Sequence, residues 1–234
     1  MTLRYPLAYC LVLFCLCSQA QTVSESMALF DDGKTQEAVA QLNQLGLGGN
    51  AEAQNMLGVL YDNGQGVTQD YKLARTWFEK AAAQGHASAQ YHLGFMYEAG
   101  RGVTHSDTQA LHWYKLAASS ADPNAQYRLA LMNLNGFGVK PNPVEARKWF
   151  AQAAAQGDPH AQRQLGTLYA KGLGVAQNKM LAYMWLDIAR GLGEQAATRT
   201  LAELSEIMSK DQVIRAQELA KQCIAKSYQG CEAL

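Results

Sequence analysis

Apolar positions along this chain recur at helical spacing, and the pattern itself recurs. Ala53, Leu57, Leu60 and Tyr61 mark one stripe over residues 51–62, and Leu73, Ala74, Trp77, Phe78 and Ala81 mark a second over 69–84. Between them lies Asn63-Gly64-Gln65-Gly66-Val67, where Gly64 suits the left-handed conformation that ends a helix without a Cβ clash. The unit is thus a helical hairpin. A dinucleotide-binding glycine loop follows a strand and opens a helix; here a helix precedes the glycines, so the run reads as a turn.

Adding 36 to each position carries Gln54, Leu57, Gly64, Gly66, Val67, Ala74 and Trp77 onto Gln90, Leu93, Gly100, Gly102, Val103, Ala110 and Trp113. Two further steps reach Gln126, Leu129, Gly136, Gly138, Val139, Ala146 and Trp149, then Gln162, Leu165, Gly172, Gly174, Val175, Ala182 and Trp185. A fixed period of this size predicts stacked units, none of which buries its apolar face alone. The copies span 51–86, 87–122, 123–158 and 159–193. Gly58, Gly94 and Gly166 fall inside helices, at a cost of about 1 kcal/mol each relative to alanine, so close helix approach is the expected benefit. The four tryptophans are expected to be core residues filling the gaps those glycines leave.

The unit Ala-x-Ala-Gln-x-x-Leu-Gly-x-x-Tyr-x-x-Gly-x-Gly-Val, with a later Ala-x-x-Trp-x-x-x-Ala-Ala-x-Gln-Gly, resembles the Sel-1-like repeat, a relative of the tetratricopeptide repeat. Residues Ala51, Gln54, Leu57, Gly58, Tyr61, Gly64, Gly66, Ala74, Trp77, Ala81, Ala82, Gln84 and Gly85 are among those that carry the match. The third copy departs with Ala130 for glycine and Asn133 for tyrosine, and the fourth with Arg190 and Leu192 where the first has Ala82 and Gln84. The resemblance implies an all-α, right-handed α-solenoid of stacked hairpins. Residues 21–50 read as a tetratricopeptide-like capping hairpin. Residues 194–234 read as capping helices and a tail, with Ser209 and Gln212 at capping-box spacing and a polar outer face from Lys210 to Lys226.

Residues 1–20 have a different character. Arg4, the apolar run Leu7 to Cys17 and the small residues Ser18 and Ala20 predict a secretory signal peptide cut after Ala20, the run being too short to span a bilayer. Retention as an uncleaved anchor is the weaker reading, and Phe14 and Leu16 before Cys15 and Cys17 argue against a lipoprotein. Cleavage would remove Cys10, Cys15 and Cys17, leaving Cys223 and Cys231 to pair in an oxidising periplasmic or secreted setting.

The balance of 20 basic and 20 acidic residues gives no electrostatic footprint for nucleic acid, and no stretch after residue 20 is apolar enough to span a membrane. His86, His92, His105, His112 and His160 include no pair at i, i+4 spacing for zinc, and no serine has a Gly-x-Ser-x-Gly context. No catalytic residue, metal or cofactor is expected. Cysteine-rich members of the repeat family have been linked to β-lactam binding or hydrolysis, but the four repeats here contain no cysteine.

The resemblance also implies that the first helices line a concave groove that receives a peptide or partner protein. Along it the sequence is acidic at the amino-terminal end, aromatic in the middle and basic at the carboxy-terminal end. Met56, Tyr91, His92, Phe95, Tyr127, Arg128 and Arg163 are the candidate contact residues, with Tyr91, Phe95 and Tyr127 as anchors or, alternatively, as packing between neighbouring repeats. An exported, non-enzymatic interaction scaffold is the leading function. A cell-envelope hydrolase with a site assembled across repeats, or a stabilising subunit of an envelope assembly, are the alternatives.

Overall fold

The computed structural model describes residues 22–231, and the leader reading of residues 1–20 lies outside them. Among the described residues there are twelve helices and no strand. Contacts divide the chain into two compact units, one ending at His86 and the other beginning at Ala87.

The first unit holds α1 (Val23–Asp31), α2 (Thr35–Leu47), α3 (Ala51–Asn63) and α4 (Tyr71–Ala83), each packed on the next. Thr22 opens α1 with a capping box through Glu25, while Asn50 and Asp70 cap α3 and α4. Its core gathers Val39, Leu42, Ala53, Leu57, Leu60 and Trp77.

The second unit continues with α5 (Ala87–Ala99), α6 (Asp107–Ser119), α7 (Pro123–Asn135), α8 (Pro143–Ala155), α9 (Pro159–Lys171) and α10 (Lys179–Gly191). Two further helices, α11 (Ala197–Ile207) and α12 (Lys210–Ala225), both pack on α10. Proline stands at the first helical turn of α7, α8 and α9, where its missing N–H costs nothing. The Ser209–Gln212 capping box opens α12. The expected polar outer face of that helix is interrupted, since Ile214 and Ile224 are more than half exposed.

Every hairpin turn is closed by the same backbone bond. The amide of the residue capping the second helix donates to a carbonyl near the end of the first: Asp70 to Tyr61 at 2.9 Å, Ser106 to Tyr97 at 3.0 Å, Asn142 to Asn133 at 2.7 Å and Asn178 to Tyr169 at 3.0 Å. Because the carbonyl makes this bond, asparagine at 133 keeps the turn, and its buried amide is satisfied by the Leu129 carbonyl at 2.8 Å. At Gly66, Gly138 and Gly174 the second glycine of the loop is pressed against the start of the previous second helix. A Cβ on Gly138 would lie 2.6 Å from the Asp107 carbonyl oxygen, and one on Gly174 would lie 2.3 Å from that of Pro143.

The mid-helix glycines do admit close approach, but their partners are the residues after the tryptophans. Phe78 would come within 2.4 Å of a Cβ on Gly58, Tyr114 within 2.6 Å on Gly94, and Leu186 within 2.8 Å on Gly166. One residue is about 100° of helix rotation, so these side chains face their own hairpin while the tryptophans point elsewhere. Trp77 reaches back toward α2, its ring 3.3 Å from a Cβ placed on Gly46. Trp77 and Trp185 are buried, whereas Trp113 and Trp149 are only half-buried.

In the first, third and fourth repeats the recurring glutamine ties the first helix to the end of the second helix before it. Gln54 donates to the Gly46 carbonyl at 2.9 Å, Gln126 to Ala118 at 3.4 Å and Gln162 to Ala154 at 3.2 Å. Its oxygen in turn accepts from a glutamine at the end of its own hairpin: Gln84 to Gln54 at 2.8 Å and Gln156 to Gln126 at 2.9 Å. In the last repeat Leu192 occupies that place, and the fully buried Gln162 leaves its oxygen without a hydrogen bond.

A disulfide joins Cys223 in α12 to Cys231, both buried. The short loop it closes contributes roughly 2–3 kcal/mol by restricting the unfolded chain. Within that loop Ser227 and Tyr228 adopt left-handed backbone, and the turn sets Tyr228 against Gly157 and lets the Gln229 amide donate to the Ala155 carbonyl at 2.8 Å. The tail thereby serves as a cap for the end of α8.

Two expectations follow for stability. Trp77→Ala removes a large buried aromatic and should lower the unfolding free energy by about 3–5 kcal/mol in urea titration; a loss under about 1 kcal/mol would mean the ring is not core. Leu192→Gln places a donor beside the orphaned Gln162 oxygen and should raise stability by about 1 kcal/mol in the same titration, whereas no gain would show that the oxygen is already satisfied.

Candidate protein-interaction face

Six of the seven candidate contact residues lie on α5, α7 and α9 of the second unit, while Met56 lies on α3 of the first. Met56 is half-buried and lines a surface hollow with Thr22, Val23, Met27, Asn50 and Glu52 beside the opening helix.

In the second unit the side chains fall into two contacting groups, one around Phe95 and Arg128 and the other around Tyr127, His160 and Arg163. Tyr91 and Tyr127 are half-buried, each with its ring against an aromatic of the following second helix: Tyr91 to Tyr114 at 5.8 Å between centroids, and Tyr127 to Phe150 at 5.8 Å. Both pack on the core and neither is fully buried. His92 lies edge-on to Tyr91 at 5.4 Å. Phe95 is half-buried beneath two guanidinium groups, Arg101 at 5.0 Å and Arg128 at 5.7 Å from its ring centre.

The arginines do not stand free. Arg128 Nη1 lies 3.2 Å from Glu98 Oε1, which ties α7 to α5, and the other oxygen of Glu98 accepts from the Tyr114 hydroxyl at 2.5 Å. Burial, then the hydrogen bond to Glu98, pushes the Tyr114 phenol far above its ordinary range, so it remains a donor. Burial pulls the Arg128 guanidinium down, but Glu98 and the neighbouring tyrosines outweigh this and leave it raised and charged. Farther along, Tyr127 approaches His160 at 6.1 Å between centroids. His160 and Arg163 share Glu194, whose side chain is only 9% exposed; Arg163 Nε is 3.5 Å from Oε1 and His160 Nδ1 contacts Oε2.

Glu194 and Tyr114 are therefore structural parts of this face that sequence reading did not assign to it. The sequence places Glu98 on the first-helix face, but does not show that its partner is Arg128, 30 residues away in the next repeat. Glu194 lies beyond the last repeat, where the period gives no register.

Chemically the face offers half-buried aromatic rings and guanidinium groups paired with Glu98 and Glu194. Among the described residues no group of three His, Cys, Asp or Glu could hold a metal ion, and no helix is long and apolar enough to cross a membrane.

Comparison with known proteins places this geometry in context. The family model described as Sel1 repeat matches residues 51–86, 87–122, 123–158 and 159–193. No curated protein matches the chain. Among solved structures it is similar to a Sel1 repeat protein from Oxalobacter formigenes, at 32% identity and a TM-score of 0.73, covering 78% of this chain and 75% of that one. It is also similar to c5321, a protective antigen present in uropathogenic Escherichia coli strains with an SLR fold, at 28% identity and a TM-score of 0.79, covering 95% of this chain. The chain spans half the length of that protein, at 50% coverage. A putative Sel1 repeat protein from Klebsiella pneumoniae shares the fold at 22% identity and a TM-score of 0.51, covering 80% of this chain and 98% of that one. Proteins of this kind generally act as protein-interaction scaffolds. With four consecutive repeat matches and an all-α repeat architecture, the chain belongs to the Sel1 repeat family.

Proposed function

We propose that this chain is an exported, non-catalytic scaffold that holds a peptide segment or partner protein on the α5, α7 and α9 face of its second unit. The observation that carries the reading is the pair of contacting groups on these helices, Tyr91, Phe95 and Arg128 in one and Tyr127, His160 and Arg163 in the other. Its rings and guanidinium groups are fixed by packing and ion pairs, so binding orders few side chains that are not already ordered. Aromatics and arginine are the residues on which binding energy most often concentrates. The Tyr114 phenol keeps its proton, which suits a positioning role better than acid–base chemistry.

Export is supported by the buried Cys223–Cys231 disulfide, by the leader reading of residues 1–20, and by the likeness to a protein described as a protective antigen.

The test is partner capture followed by kinetics. A partner recovered from an envelope extract should bind Phe95→Ala and Tyr127→Ala variants more weakly by more than about 1 kcal/mol, mainly through faster dissociation. Lys115→Ala, an exposed position on the second helix α6, should bind like the parent. Unchanged binding by folded Phe95→Ala and Tyr127→Ala proteins would move the docking site to another surface.

A further inference from the structure

We infer that the surface hollow of the first unit receives a lysine or arginine side chain of a bound polypeptide, with its methylene stem on two methionines and its charged head at Glu52. This site belongs to the first unit alone and is independent of the α5, α7 and α9 face. Val23, Ser24 and Met27 of α1 and Glu52 and Met56 of α3 line the hollow, whose volume of about 510 Å3 is of the size that ligand groups occupy. Side-chain caps fix the two helix starts that frame it. The Glu25 amide donates to Thr22 Oγ1 at 3.1 Å and the Ala53 amide to Asn50 Oδ1 at 2.9 Å.

The floor is apolar. Val23 is buried, and Met27 and Met56 are half-buried. An unbranched thioether adapts its shape to an alkyl stem more readily than a branched side chain does. Lysine and arginine lay such stems along apolar surface while the head group stays in water.

Among the described residues that line the hollow, Glu52 alone is charged, and its exposed side chain has no ion pair or hydrogen bond. Glu25, in the first turn of α1, adds a second carboxylate at this end, with one oxygen accepting from the Thr22 amide at 2.9 Å. The described lysines and arginines of the unit lie elsewhere. Lys34 precedes α2, and Lys72 and Arg75 belong to the first turns of α4, so all three sit at the ends of the hairpins remote from the starts of α1 and α3. Arg75 is paired with Glu79, and Lys80 lies over the Trp77 ring at 4.3 Å from its centre.

A wholly apolar side chain seated here would strip water from Glu52 and return no bond. An acidic segment would meet repulsion. A cation on an alkyl stem satisfies both the floor and the carboxylate. Ser24 favours a polypeptide as its carrier. The Ser24 side chain is exposed and makes no hydrogen bond among the described residues, which leaves its hydroxyl for a backbone group of the incoming segment.

The methyl resonances of Met27 and Met56, isotope-labelled and identified through Met27→Leu and Met56→Leu, report on this floor directly. The disulfide-bonded chain is titrated with acetylated, amidated alanine pentapeptides that carry lysine, arginine, norleucine or glutamate at the centre. The lysine and arginine peptides should move both resonances to saturation, with affinity falling as salt rises. Norleucine keeps the alkyl stem without the ammonium group and should bind about fivefold more weakly than lysine. The glutamate peptide should leave both resonances in place. Glu52→Gln should weaken the lysine peptide about fivefold without changing the norleucine peptide, and Glu52→Asp should recover part of that loss. Phe95→Ala and Tyr127→Ala should respond like the parent. Equal affinity for lysine and norleucine, full lysine affinity in Glu52→Gln, movement with glutamate, or no movement with any peptide would overturn the inference. Loss of the lysine response in Phe95→Ala or Tyr127→Ala would overturn it by moving the peptide to the second unit. Concentration-dependent shifts of the same methyls in the protein alone would overturn it in favour of a second copy of the chain.

Discussion

The close seating of the Gly-x-Gly loops at Gly66, Gly138 and Gly174 on the first turn of the preceding second helix fixes the phase of one hairpin against the next within each unit. At Gly138 and Gly174 two demands coincide: left-handed backbone, with φ of 67° and 68°, and a neighbouring carbonyl within 2.6 Å and 2.3 Å of where a side chain would begin. Glycine alone meets both. The neighbouring helix starts are themselves fixed, Asp107 and Pro143 being the first residues of α6 and α8 after the caps Ser106 and Asn142. A loop that could not settle there would rotate its hairpin, and every side chain counted from it would shift.

The interaction face inherits its order from that phase. Glu98 and Arg128 meet because α5 and α7 present those positions toward each other, and Tyr127 meets His160 in the next repeat for the same reason. The resulting polar bonds serve structure and recognition together. Glu98 is worth little as an isolated surface ion pair, but it also holds the buried Tyr114 hydroxyl and orients a guanidinium over Phe95. The glutamine rungs do similar work inside the stack, closing in the first and third repeats and left open in the fourth where Leu192 stands.

The 36-residue register made the helices and the turns legible from the sequence, since each is repeated at the same offset, but not the seating of the second loop glycine on the preceding helix. The Cys223–Cys231 pairing was legible once Cys10, Cys15 and Cys17 were set aside on the expectation of a cleaved leader. Side-chain direction within a helix was less so. Trp77 and Phe78 are both apolar and adjacent, and only packing shows that Phe78 sits on Gly58 while Trp77 turns toward α2. Contacts between repeats were also hidden, because Arg128 gives no local sign that its partner is Glu98, and Glu194 falls after the periodic region. The sequence left the aromatic rings of the face between exposed and packed, and in the fold Tyr91, Phe95 and Tyr127 are half-buried.

Hydrogen exchange on Gly138→Ala tests the stacking constraint most directly. With the loop unable to approach Asp107, amide protection should fall on both sides of the substitution, in α6 as well as in α7 and α8, because the hairpins lose their shared interface. Loss of protection confined to residues 136–142, with α6 unchanged, would contradict the claim that this glycine sets one repeat on the next.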